Sequence, residues 1–161
     1  MRPSSACPAL PLRLGAARLP HDGPPAQVVF IGFGRRGASR ASLQLLLIAA
    51  GDPDAVARWL ALAWRSAADP RDLARQALAS IVVAWRPLTD AAQEEVRYRY
   101  RLVLGRRGGI TLSCWRCHGP PIGWLRRCGP MPLERFLDHR LAGSGLWSPQ
   151  EDRRPGPAER T

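Results

Sequence analysis

The sequence predicts a mainly α protein: a small helical bundle, then a short irregular cysteine-rich module, with disordered termini. Two repeated start signals and a change of texture after residue 105 carry that prediction. Gly51-Asp52-Pro53-Asp54 and Asp69-Pro70-Arg71-Asp72 each put a carboxylate at an N-cap before a proline in the first helical turn. Apolar residues then recur at helical spacing, Val56, Trp59, Leu60, Ala63 and Ala67 after the first signal and Leu73, Ala77, Ile81, Ala84 and Trp85 after the second. Beyond Gly105 that spacing gives way to glycines, prolines and cysteines.

The chain of 161 residues has room for one ordinary domain, or a small one plus a zinc-sized module and tails, and too little for a large two-domain enzyme. All 24 basic side chains are arginine, and lysine and asparagine do not occur, which marks a GC-rich coding sequence. The net charge of +11 is unevenly placed. Residues 1–37 hold five arginines and one acid, 38–96 six arginines and seven acids, 97–133 eight arginines and no acid, and 134–161 five of each. An excess like that over 97–133 gathers polyanions, and nucleic acid is the commonest in a cell. The plainer alternative is a solvated arginine-rich surface.

In chain order, residues 1–26 are rich in Pro, Arg and Ala without a sustained period and read as a disordered basic arm, with Cys7 a free thiol. The arm contains no secretory apolar core, and the run Leu45 to Ala50 is far short of the roughly twenty residues of a membrane span. These features predict a cytoplasmic protein with no membrane partner, in a compartment that keeps thiols reduced. Gln27 to Phe33 suits a strand. Gly32-x-Gly34-x-x-Gly37 has the outline of a dinucleotide-binding turn, but no second strand follows with a ribose-binding acid, because Asp52 and Asp54 open another helix. A glycine-permitted turn within 27–37 is the better reading.

A helical unit is predicted over 38–105. Its third helix opens at Leu88-Thr89-Asp90 and runs through Val96, Tyr100 and Val103 to Gly105. Trp59, Trp64 and Trp85 are assigned to its packing. Such a unit offers a face for a protein partner, and the alternative functional reading is a non-catalytic helical interaction module with an incidental cysteine-rich tail. Within 106–147, Arg106-Arg107-Gly108-Gly109 reads as a turn and Ile110-Thr111-Leu112 as a short strand. Gly119-Pro120-Pro121 and Gly129-Pro130-Met131-Pro132 argue against a long regular element there. Residues 148–161 read as a disordered tail.

SCWRCHGPPIGWLRRCG, residues Ser113 to Gly129, carries three of the four cysteines. A tight knuckle between Cys114 and Cys117 would turn both thiolates toward one tetrahedral zinc, with Cys128 as a third ligand and His118 or His139 as the fourth. Surrounding arginines would offset the negative charge such a site accumulates. The same letters Cys114-x-x-Cys117-His118 fit c-type haem attachment, which a cytoplasmic location disfavours. Farther on, Asp138 and His139 form an adjacent pair. The aspartate could hold Mg²⁺ or a similar ion while the imidazole takes a proton from attacking water. A surface pair without chemistry is the plainer account.

Taken in order, Arg97-Tyr98-Arg99-Tyr100-Arg101, Arg107-Gly108-Gly109, Cys114-Trp115-Arg116-Cys117 with Gly119-Pro120-Pro121, then Pro132-Leu133 to Asp138-His139 and Gly143-Ser144-Gly145, the stretch 97–145 resembles the N-terminal half of an HNH endonuclease domain. The resemblance implies a ββα-metal-like module in which a strand ends in the Asp-His pair. Asp138 would then be the catalytic-metal ligand, His139 the general base, and Cys114 and Cys117 half of a structural zinc site. The family's second histidine and its asparagine have no counterpart here. The resemblance therefore implies a DNA-binding module, in which any cleavage would be metal-dependent phosphodiester hydrolysis. Arg97, Arg101, Arg106, Arg107, Arg126 and Arg127 are the candidate phosphate contacts.

Overall fold

Tyr98-Arg99-Tyr100-Arg101-Leu102 satisfies two periods at once. Val96, Tyr100 and Val103 suit a helix, but strict alternation of ring or aliphatic with arginine suits a half-buried strand. In the computed structural model, which describes residues 23–33, 42–80, 85–88 and 96–145, alternation wins and this stretch is a strand. The mainly α expectation is thereby corrected: the protein is mixed α/β, with more strand than helix.

The described residues form one six-stranded sheet: β1 (Ala26–Ile31), β2 (Ser42–Leu47), β3 (Trp85–Pro87), β4 (Tyr98–Leu104), β5 (Ile110–Cys117) and β6 (Trp124–Pro132). Their order across the sheet is β3-β2-β1-β4-β5-β6. Strands β1 and β4 run parallel, Val28 beside Tyr100 and Phe30 beside Leu102, and the other neighbours are antiparallel. The helices are α1 (Pro53–Ser66), α2 (Leu73–Ala79), entered through a 3-10 turn at Pro70–Asp72, and α3 (Leu133–Leu141).

The start signals stand where the sequence puts them. Asp52 caps α1, its carboxylate accepting the Ala55 N–H at 3.2 Å, and Asp69 accepts the Asp72 N–H at 3.0 Å. The lengths differ. The second helix ends at Ala79, and Trp85 lies in β3 instead of extending it. The apolar run Ser42–Leu47, inside the expected helical unit, is β2. A short apolar run is ambiguous between strand and helix, and pairing with β1 on one side and β3 on the other resolves it. The opening of the expected third helix at Thr89-Asp90 lies outside the described residues, as do 1–22, 34–41 and 146–161 with the predicted arm and tail.

The cysteine module is also more regular than expected. Cys114 and Cys117 belong to the eight-residue β5, not to a knuckle, and the proline-bearing segment is the nine-residue β6. Proline donates no ladder hydrogen bond, and β6 tolerates Pro130 and Pro132 because it is an edge strand. Gly129 (φ +85°) sits where a Cβ would run into the Leu112 carbonyl and Ser113, beside the shift of register around Cys114. The expected strand leading to Asp138 and His139 is the helix α3, because Leu133, Phe136, Leu137 and Leu141 make a helical apolar stripe buried in the core.

All three helices cover one face of the sheet. Val28, Phe30, Leu45, Leu47, Tyr100, Leu102, Leu112 and Cys114 share one buried cluster with Trp59, Leu60, Leu73 and Leu137. Two polar tips within it are hydrogen-bonded: the Trp59 indole donates to the Ala77 carbonyl at 3.0 Å, joining α1 to α2, and the Tyr100 hydroxyl donates to the Gly51 carbonyl at 2.8 Å, whereas the buried Trp64 indole N–H has no partner among the described residues. Trp59 and Trp64 thus lie in the core, as predicted, and Trp85 packs at its margin, donating to the Leu78 carbonyl at 3.1 Å. None of the described helices is long and apolar enough to cross a membrane.

Candidate nucleic-acid interface

Successive residues of a strand point to opposite faces, so each strand with a buried core face has a second face to place. Among the described residues no helix lies over that second face. Gln27 and Val29 of β1, Arg99 and Arg101 of β4, and Trp115 and Trp124 of β5 and β6 line a shallow groove of about 510 Å³ together with Tyr100. The register makes the grouping: Gln27 pairs with Arg99, Val29 with Arg101, Arg99 with Trp115, and Trp115 with Arg126. Part of this face is closed, since Leu46 and Val96 are each 2% exposed and Leu88 and the partly buried Trp124 pack against that small cluster.

Guanidinium groups lie on indole faces in this groove. The Arg99 guanidinium carbon is 4.0 Å from the centroid of Trp124, and that of Arg126 is 5.5 Å from Trp115. At the same end of the sheet Arg116 is 5.9 Å from the ring of Tyr98. Each contact is a cation–π pair that holds a flexible side chain flat against a ring. The Nε atoms of Arg86 and Arg99 are buried without a hydrogen-bond partner among the described residues. None of the six strands contains an aspartate or glutamate. The described acids, Asp52, Asp54, Asp69, Asp72, Glu134 and Asp138, all belong to the helices and their caps.

Of the arginines singled out by sequence, Arg101 lines the groove and Arg126 stacks beside it. Arg106 and Arg107 are exposed in the β4–β5 turn, Arg127 is exposed on β6, and Arg97 is exposed just before β4. Sequence reasoning missed Arg99, Trp115 and Trp124 as site residues. The signal was present, since Arg99-x-Arg101 and Trp115 alternate with residues of the core face, but it is legible only once those segments are read as strands.

The metal-site candidates are not brought together. Cys114 and Cys117 are three apart on one strand, so their side chains leave opposite faces of the sheet. Cys114 is buried in the core beside Cys128, while Cys117 pairs with Trp124 at the strand end and His118 is exposed in the hairpin that follows. Asp138 and His139 are adjacent on α3, on the helix side of the sheet, with His139 exposed and Arg140 3.6 Å from Asp54. Among the described residues no three His, Cys, Asp or Glu side chains group closely enough to hold a metal ion.

No protein-family model, no curated protein and no solved structure matches the chain.

Proposed function

We propose that the face of the sheet opposite the three described helices binds nucleic acid in single-stranded form. The observation that carries this is the groove, lined by no acid among the described residues, in which Arg99 lies on the ring of Trp124 and beside which Arg126 lies on that of Trp115. Arginine supplies forked donors for phosphate oxygens, and an indole supplies a flat apolar face for a base. A flat sheet with both suits splayed bases better than duplex DNA, because no described helix or ribbon projects from this face into a groove. The reducing cytoplasm is the compartment that fits this partner and the free thiols of Cys114, Cys117 and Cys128.

The proposal is of binding. Asp138 and His139, which the HNH resemblance would make catalytic, stand on the opposite side of the sheet from the groove, and no cleavage step is assigned to them. The alternative of a partner-binding unit would rest on a mixed α/β surface and not on a purely helical one, because 38–105 contributes strands as well as helices. Fluorescence anisotropy of a labelled single-stranded oligonucleotide, titrated at several salt concentrations, tests the reading. Affinity should fall steeply with salt, and the triple change Arg99→Ala, Arg101→Ala, Arg126→Ala should flatten the log–log slope by about 2, at roughly 0.7 per lost phosphate contact. A slope that the triple variant leaves unchanged, or equal binding by the variant, overturns it.

A further inference from the structure

Cys114 and Cys128 are directly opposite each other on the antiparallel strands β5 and β6. Opposite residues share a face of the sheet, and their Cα atoms stand roughly 4.5–5.5 Å apart, inside the span a disulfide bridges. The face they share is the helix side: Cys114 is 1% exposed in the core, and Cys128, half-buried, packs against it. The two thiols are hydrogen-bonded to each other, and Arg140 of α3 lies near enough to both to favour a thiolate. Cys117, at odd separation on β5, points to the other face and cannot reach the pair.

We propose that Cys114 and Cys128 form a dithiol–disulfide site, oxidised by exchange with a low-molecular-weight disulfide, with Cys128 attacking and Cys114 resolving. The roles follow from access, since a buried sulfur cannot meet an incoming disulfide and a half-buried edge-strand sulfur can. In the first step the Cys128 thiolate attacks one sulfur of the small disulfide. A mixed disulfide forms and one small thiol leaves. In the second, Cys114 gives up its proton and attacks the Cys128 sulfur, so the internal disulfide forms and the second small thiol departs. Two protein thiols are oxidised, one small disulfide is reduced to two thiols, and the two protons leave with them. The hydrogen bond from Cys114 and the nearby Arg140 hold the Cys128 thiol below the ordinary range of cysteine, while that same contact and burial push Cys114 up. That split matches the assigned roles.

The test uses the full chain carrying Cys7→Ser and Cys117→Ser, reduced, freed of reductant and incubated with glutathione disulfide, followed by thiol counting and non-reducing peptide mapping. Both remaining thiols should disappear with no glutathione retained, and one linked species should join the peptides holding Cys114 and Cys128. Adding Cys114→Ser should leave glutathione trapped on Cys128. Because Cys114 is a core residue and that variant could fail to fold, mapping of the wild-type chain stands beside it, with the same cross-link expected. Glutathione retained on Cys128 while Cys114 is present, links between chains, or two thiols surviving unreacted would each overturn the proposal.

Discussion

On the helix side of the sheet Val28, Phe30, Tyr100 and Leu102 are at most 1% exposed, and every described acid belongs to the elements on that side. On the other side the same strands present Gln27, Val29, Arg99 and Arg101, with Trp115 and Trp124 exposed enough to line a groove. One alternating strand, β4, thus contributes a tyrosine whose hydroxyl is bonded 2.8 Å from the Gly51 carbonyl and, one residue earlier, an arginine lying on an indole. A charge is intolerable on the packed side and inexpensive on the wet one. The comparison teaches that tryptophan has two roles in this molecule: Trp59 is 0% exposed and fixed by its indole N–H, whereas Trp115 and Trp124 carry guanidinium groups on their rings, Trp124 also packing against Leu46 and Val96.

The strongest way to break this contrast is to truncate one tryptophan on each side. Trp59→Ala should cost about 3–5 kcal/mol in denaturant unfolding, as for other large core aromatics. Trp115→Ala should cost far less stability but about 1–3 kcal/mol of oligonucleotide affinity if a base stacks there. Similar stability losses for both would show that the groove is core in disguise. Gly129→Ala should destabilise by about 1–3 kcal/mol, since positive φ and the Leu112 carbonyl both oppose a Cβ, read from the same unfolding curves.

Smaller effects sharpen the helix side. Asp52→Ala should remove about 1 kcal/mol by leaving the Ala55 N–H without its cap, and Asp52→Asn should recover most of it. Last, Asp72 accepts hydrogen bonds from Arg75 at 2.6 Å, the Ala68 N–H at 3.0 Å and Gln76 at 3.1 Å, and the Arg75 contact above all holds its carboxyl well below the usual range. A depressed carboxyl stabilises fully above its unfolded value of roughly 3.9 and loses that contribution as pH falls below it. Unfolding followed from pH 5 downward should therefore show a shallower acid loss for Asp72→Asn than for the wild type. Because the Arg75 partner is exposed to solvent, the difference should be the smallest of the set, and shrink with salt.

How much of this was legible varies with the range of the interaction. The helix starts at Asp52 and Asp69 were readable because capping is settled within one turn, by a carboxylate and the backbone N–H three residues on. The strand expected at Gln27–Phe33, observed as Ala26–Ile31, and the turn at Arg106–Gly109 were readable for the same local reason. The identity of Ser42–Leu47 and Tyr98–Leu104 was not, because each fits a helix locally and becomes a strand by pairing with a segment far along the chain, Leu45 with Val28 and Arg99 with Gln27. The cysteine spacing misled in a related way: Cys114-x-x-Cys117 converges only on a knuckle, and the ladder with β4 and β6 straightens it.

By itself, then, the sequence determined the two helix starts at Asp52 and Asp69, that 97–133 is basic throughout, and that three cysteines cluster within seventeen residues. Only the tertiary structure decided which arginines share a surface, that Trp115 and Trp124 belong to it, and that Cys114 faces Cys128 and not Cys117. The physical reason is that charge and capping are properties of neighbours in sequence. A sheet face is assembled from every second residue of several strands, and its membership is set by register, which no single segment carries.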